Sequence, residues 1–206
     1  GVPVDPALGR RDEDSLTLRK RLGWRTDLRT FLAVGSKRVG AMRDVLNVLN
    51  HSALPMQLIV VAGGDEELYA ELQKATWHVD ARLYNYVDNL SAMMHAADGV
   101  ISKAGGLVVS ESLACGLPML LIEALPGQEA GNAEYITTNG AGDWARDPVE
   151  ALVALCHWLD HDGALLAERA ARARALGRPQ AAYQAAERIW TLASSGPHAR
   201  GLSRYV

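Results

Sequence analysis

The feature that most constrains this chain is a run of apolar residues at 58–62 that shows no alternation and closes in Gly63-Gly64. A strand with one wet face alternates apolar and polar side chains. An unbroken run of this length therefore predicts a strand covered on both faces, as in a parallel sheet held between two helical layers. Similar short runs recur at 31–34, 82–86, 99–102, 119–122 and 142–145. Helical spacing fills the intervals. Val39, Met42, Leu46 and Leu49 share a face across 38–50, and Asp65 is placed to cap a helix running to residue 73. Asp88 or Asn89 can cap a short helix ending near 97, Gly116 stops one that begins at Gly105-Gly106, and Gly140 stops one over 129–138. After Pro148 three helical segments follow, at 149–159, 164–176 and 180–193. The alternation predicts an α/β fold: a Rossmann-like, doubly wound parallel sheet of about six strands with helices on both faces and right-handed crossovers.

The length of 206 residues suits one sizeable α/β domain, and 49% hydrophobic against 22% charged residues is enough to close a core without staples. Residues 1–27 read as a linker and first helix, and 28–206 as the domain proper. The opening 1–6 carries two prolines and no helical period, which predicts an extended linker with something before it. A formal net charge of −3 gives no bulk field for nucleic acid, so no nucleic-acid partner is expected. Arg19, Lys20, Arg21, Arg25 and Arg29 form a local basic run, read either as a solvated face or as a contact for anionic lipid or phosphate. The two cysteines, Cys115 and Cys156, are far apart and lack partners at metal-ligand spacing, which fits a reducing compartment and no metal. No apolar run approaches the ~20 residues that span a bilayer, and no signal-peptide pattern opens the chain. The expected location is cytoplasmic, with any membrane attachment peripheral.

In an open parallel sheet, ligands bind beyond the carboxyl ends of the strands, where the strand order switches. Weight then falls on 35–38, 63–65, 86–88, 102–106 and 123–128. Glycine in three of these loops lets backbone amides approach an anion, and a following helix offers unpaired N–H groups; alternatively, the glycines only permit tight turns. The spacing from Gly35 to Gly40 starts like a P-loop, but Ala41-Met42 replaces the Lys-Ser/Thr, and no G-x-G-x-x-G follows the first strand. ATP hydrolysis and NAD-dependent redox chemistry are therefore disfavoured. Glu111, one to two turns into the helix after Gly105-Gly106, could reach back toward the ligand side, where its two oxygens suit a pair of ribose hydroxyls. The competing reading is a solvated helix glutamate. Gln128, Glu129 and Asn132 gather at a helix start, able to bind sugar hydroxyls or to cap the helix; both readings stand.

Taken in order, residues 83–90, Ala97-Asp98, 101–111, Gly116-Leu117-Pro118 and Gly127-Gln128-Glu129-Ala130-Gly131-Asn132 resemble the C-terminal domain of family 28 glycosyltransferases, the donor half of a GT-B fold. The resemblance extends over nearly the whole chain. Within the family it points to monogalactosyldiacylglycerol synthases and bacterial diacylglycerol glycosyltransferases, with the peptidoglycan N-acetylglucosaminyltransferase more distant. It implies that Tyr86 and the backbone of Val87 hold uracil and that Glu111 grips the ribose. Gly35, Ser36, Ala104, Gly105 and Gly106 would surround the diphosphate. Gln128 and Glu129 would contact the hexose, with Asn132 supporting that helix start. Relatives often carry a second glycine in the first loop, where this chain has Val34-Gly35-Ser36.

By the same resemblance the partners are a UDP-sugar donor, a missing N-terminal domain, and a lipid acceptor (diacylglycerol) reached through that domain. No cofactor is implied, since helix N-termini and amides can stabilise the leaving diphosphate without a metal. The base that takes the acceptor proton lies in the N-terminal domain of relatives, so no catalytic residue is assigned here and the chain alone is expected to be inactive. Ile189, Trp190 and Leu192 lie near one face of the last helix and pack either on that missing domain or on this chain's own sheet. The alternatives are a UDP-sugar epimerase of the same fold, a binding-only domain with a degenerate site, and a dinucleotide binder. The epimerase needs histidines in the cleft loops, and His51, His78, His95, His157, His161 and His198 do not cluster there.

Overall fold

The computed structural model describes residues 2–36 and 40–195. Six parallel strands form one sheet: β1 (Arg29–Val34), β2 (Met56–Val61), β3 (Asp80–Tyr84), β4 (Gly99–Lys103), β5 (Met119–Glu123) and β6 (Gly142–Trp144), in the order β3-β2-β1-β4-β5-β6. The chain winds outward from β1 to β3, returns to the other side of β1 with β4, and winds outward again. The reversal lies between β1 and β4, where Phe31 stands opposite Gly99 and Ala33 opposite Ile101.

Successive residues of the inner strands feed opposite cores. Phe31, Leu58 and Val60 pack with α2 (Met42–Asn50), α3 (Glu66–Lys74) and α7 (Pro148–Leu159); Trp158 of α7 is fully buried there. Leu32, Ile59, Val100, Met119 and Leu121 face the other way. They pack with α1 (Ser15–Leu22), α4 (Leu90–Ala96), α5 (Gly106–Ala114), α6 (Ala130–Thr138) and α8 (Ala164–Leu176). Both directions being apolar, every residue of β2 is buried, which accounts for the unbroken run in the sequence.

Local chemistry sets the helix starts. Asp14 accepts from the amides of Leu16 and Thr17, Asp65 from Leu68 at 3.1 Å, and Asp147 from Val149 and Glu150, with Pro148 in the first turn of α7. As expected, Asp65 is the cap of α3. The strand expected at 82–86 sits two residues earlier, because β3 pairs Val61 with Tyr84 and leaves Tyr86 in the following loop. The second helix is described from Met42; residues 38 and 39 of the expected 38–50 helix lie outside the described residues.

The opening segment is not a free extended linker. Pro6–Gly9 form a 3-10 turn capped by Asp5, Val4 and Leu8 are buried, and the Leu8 carbonyl meets the His95 ring at 2.9 Å. The basic run largely finds partners within the chain. Arg19, only 4% exposed, donates to the carbonyls of Ala96 and Leu28 and to the Asp98 carboxylate at 2.8 Å. Asp98 also accepts the Thr30 amide, so α1 is tied to the start of β1. Arg21 pairs with Glu13, Arg25 with Asp27 and Asp80, and Arg29 donates to the Asp162 carbonyl. The helix α9 (Ala181–Ser195) leaves Ile189, Trp190 and Leu192 at 67%, 66% and 63% exposure, so Trp190 does not pack on the sheet of its own chain.

Candidate functional site

At the reversal between β1 and β4 a cavity of about 430 Å3 opens beyond the strand ends, within the size range of small-molecule sites. Its wall includes Gly35, Ser36, Lys103, Gly105, Glu111 and Glu129. A second cavity, of about 350 Å3, lies by the edge strand β6 against Val149, Val153 and Arg169, away from the reversal.

The two glycine loops do different work. Gly63 is left-handed (φ +67°), and a Cβ there would sit 2.2 Å from the Gly35 carbonyl oxygen; only glycine allows the ends of β1 and β2 to meet. The Gly35 amide is itself engaged, donating to the Val61 carbonyl at 2.8 Å. After β4, the Ala104 amide donates to the Glu123 carbonyl at 2.8 Å and its carbonyl accepts from the Asn132 side chain at 2.9 Å. Asn132 therefore ties α6 to the loop that launches α5. Ala104 contributes shape here, because both of its backbone groups are taken.

Gly105 is the N-cap of α5, and it brings no side-chain acceptor; no acidic residue occupies the first turn either. The first residues of α5 thus line the cavity with no side-chain cap on their amides, and a helix end of this kind favours an anion. The start of α2 is supplied differently: Glu123, at the end of β5, accepts the Ala41 amide at 3.1 Å.

Glu111 lies in the second turn of α5, half-buried in the cavity wall. Burial pushes its carboxyl above the usual range, since desolvation disfavours the charge and no described cation offsets it. Glu129 is more deeply buried, at 7% exposure, yet it responds in the opposite direction. Its burial alone would raise the carboxyl, but a hydrogen bond from Lys103, the Leu125 amide and the Lys103 charge together hold it below the usual range. The Lys103 Nζ–Glu129 Oε1 distance is 2.5 Å, and Glu129 Oε2 accepts the Leu125 amide at 3.0 Å.

The structure thus brings Gly35, Ser36, Gly105, Gly106, Glu111 and Glu129 to one cavity. Asn132 stands behind that wall, within 3.8 Å of where a Gly106 Cβ would be. Gln128 is exposed at the turn before α6. Tyr86, 70% exposed, and Val87 lie on the loop after β3, outside the cavity wall, which is reached from that side by Leu90. Lys103 and Glu123 were not assigned roles from sequence. Their one signal there is position, as the last residues of β4 and β5. None of the described histidines lines this cavity; His51 and His78 instead lie against each other with ring centroids 4.9 Å apart and planes tilted by 50°. Among the described residues, no group of three or more His, Cys, Asp or Glu could hold a metal ion.

The fold and its glycine-lined crevice define a Rossmann-like domain corresponding to the C-terminal half of a GT-B protein. The glycosyltransferase family 28 C-terminal domain matches residues 31–184, and the chain belongs to that family. A probable monogalactosyldiacylglycerol synthase 2 of Oryza sativa is 30% identical over 93% of this chain and 43% of its own length. Monogalactosyldiacylglycerol synthase 3 of Arabidopsis thaliana is 31% identical over 89% of this chain and 41% of its own. The chain therefore spans about two-fifths of these relatives. The fold is shared with WaaG, a glycosyltransferase of lipopolysaccharide biosynthesis (TM-score 0.68, 22% identity, 94% of this chain and 55% of that one). It is also shared with MurG of Acinetobacter baumannii (TM-score 0.69, 19% identity, 87% and 53%). Among the described residues no helix is long and apolar enough to cross a membrane.

Proposed function

We propose that this chain binds a UDP-sugar in the β1/β4 crevice, as the donor half of a glycosyltransferase that moves a hexose to a lipid, diacylglycerol being the acceptor that the similarity to monogalactosyldiacylglycerol synthases suggests. The observation that carries the reading is one helix. The start of α5, with Gly105 as an acceptor-free cap, and Glu111 a turn and a half further on both face the same cavity. A nucleoside diphosphate offers an anion for the first and a pair of ribose hydroxyls for the second.

In this reading the diphosphate lies over Gly105 and Gly106 beside Ser36. Backbone amides and the positive end of α5 stabilise the charge that grows on it as the glycosidic bond breaks. Glu111 accepts from the ribose, and uracil rests against Tyr86 and Val87. The hexose projects toward Gln128 and Glu129, with Asn132 keeping that helix start in place. Acceptor and catalytic base belong to another domain, so this chain alone binds donor without transferring it. The protein acts from the cytoplasmic side, with attachment to the membrane surface peripheral.

Calorimetric titration with UDP, using ADP and NAD as controls and Glu111→Ala as a second protein, tests the site. UDP should bind in preference to both controls. Glu111→Ala should weaken it by about 1–3 kcal/mol, the loss of hydrogen bonds to a charged group. Equal binding of ADP, or indifference to the substitution, would remove the site assignment.

A further inference from the structure

Glu129 and Lys103 are 26 positions apart in sequence, one at the start of α6 and the other at the end of β4, yet their side chains meet at 2.5 Å inside the cavity wall. Lys103 is the cavity's one basic side chain among the described residues, and it is spoken for. Both oxygens of Glu129 are also engaged, one with Lys103 and one with the Leu125 amide. A site built to receive an anionic sugar nucleotide thus holds its cation and its sugar-facing carboxylate against each other.

We propose that this ion pair is a donor-operated latch: a nucleoside diphosphate arriving at the start of α5 takes Lys103 from Glu129, and Glu129 Oε1, so released, accepts a hydroxyl of the sugar that the diphosphate carries. The inference rests on the crevice being the donor site. The geometry allows the exchange with little movement. A Cβ built on Gly105 would lie 3.6 Å from Lys103 Cε and 3.7 Å from Glu129 Oε1, so the lysine stem and the carboxylate both border the open N-cap of α5. A lysine is a point charge on a four-carbon stem with three rotatable donors, suited to trading one anion for another. Throughout the exchange the ammonium keeps an anionic partner, whereas Glu129 gives up its cation, a cost that the lysine–diphosphate contact and the sugar hydroxyl must offset. Glu129 does not drift on release, because Leu125 still donates to Oε2. The consequence is order: the carboxylate that reads the sugar becomes available only once a diphosphate is seated.

The test is a cycle of four proteins (the unaltered chain, Lys103→Met, Glu129→Gln and the double variant), each titrated with UDP, uridine, UDP-galactose and UDP-glucose. Glutamine still accepts from Leu125 but cannot hold the ammonium. Glu129→Gln should therefore tighten UDP at least threefold, and the gain should vanish in the Lys103→Met background. Lys103→Met should weaken UDP at least tenfold and leave uridine unchanged. Any preference for a UDP-hexose over UDP in the unaltered chain should be lost in Glu129→Gln. Unchanged or weaker UDP binding by Glu129→Gln overturns the latch and leaves the pair a brace between the end of β4 and the start of α6. A measurement on the unaltered chain guards against a variant that fails to fold. The carboxyl 13C resonance of Glu129 should move on addition of UDP and stay still with uridine; no movement with UDP also overturns the latch. If the unaltered chain binds no UDP, or binds it without dependence on Glu111, the donor-site reading itself has failed. UDP binding that depends on Glu111, with no Lys103–Glu129 coupling, sinks the latch alone.

Discussion

Two helices of the same length follow the strands on either side of β1 and begin in opposite ways. The helix α3 is finished for its own sake: Asp65 caps it, and Glu66 and Glu67 fill its first turn. The helix α5 has Gly105 at the cap, no acid in the first turn and a cavity in front. What α3 gains in local stability α5 forgoes, and the difference marks where a ligand is expected to finish the helix. An acceptor-free start alone is not the mark, since α8 also begins at a glycine, Gly163, without a side-chain cap or an early acid; α5 differs in opening on the crevice at the strand reversal, with Glu111 in the same wall.

The largest expected effect lies in the neighbour of that end. Lys103→Met leaves Glu129 buried without its cation, a change worth about 3–5 kcal/mol when one partner of a buried pair is removed. Chemical denaturation should show it. A loss under about 1 kcal/mol would place the pair in effectively aqueous surroundings, on the scale of a surface ion pair.

Next, Gly105→Asp would make α5 resemble α3. The position has ordinary φ of −65° and no contact closer than 3.6 Å to a built Cβ, so the chain should fold. The new carboxylate would take the first amides and repel a diphosphate. UDP affinity should fall about 100-fold, or about 2.7 kcal/mol. A fall of less than threefold would mean that the start of α5 is not where the anion sits.

The reciprocal change, Asp65→Ala in α3, should cost about 1 kcal/mol of stability, the usual value of an N-cap, and leave UDP binding as it was. Weakened UDP binding would blur the contrast between the two helices.

The smallest effect is a pH dependence at Glu111. Its carboxyl is raised in the folded state by burial, so the folded chain binds that proton more readily than the unfolded one. The charged form therefore weighs against folding at neutral pH. Glu111→Gln should raise the melting temperature slightly at pH 7. The gap should close as pH falls through the raised folded value toward the unfolded value of about 4.3. A gap that widens on acidification would reverse the sign of the effect. The same variant should lose UDP binding, which is the expected exchange of function for stability at a ligand-facing charge.

The sequence announced the sheet because burial on both faces writes itself into consecutive residues, as in β2. It announced α3 because the Asp65 cap is local, three residues from the amide it serves, and α7 because Pro148 opens it. Glu111 was legible for a related reason, being a fixed distance along a helix from a glycine pair. Lys103 meeting Glu129 was not legible. That contact spans separate crossovers of the sheet and depends on strand order, which spacing alone does not encode. The buried Arg19 was equally hidden within a run of charges that resembles solvated surface, because its partners, Ala96 and Asp98, lie 77 and 79 residues away. For Trp190 the sequence left two readings open, packing on this chain's own sheet or on another domain, and its exposure excludes the first.

The central claim is that the open end of α5 holds the diphosphate of a nucleotide donor. Amide resonances of Gly105 and Gly106, followed while UDP and then uridine are added to separate samples, test it most directly. The account predicts large shifts at both glycines with UDP and small ones with uridine, with α3 unmoved by either. Shifts concentrated at α3 or beside β6, or equal shifts at Gly105 with uridine and UDP, would contradict it.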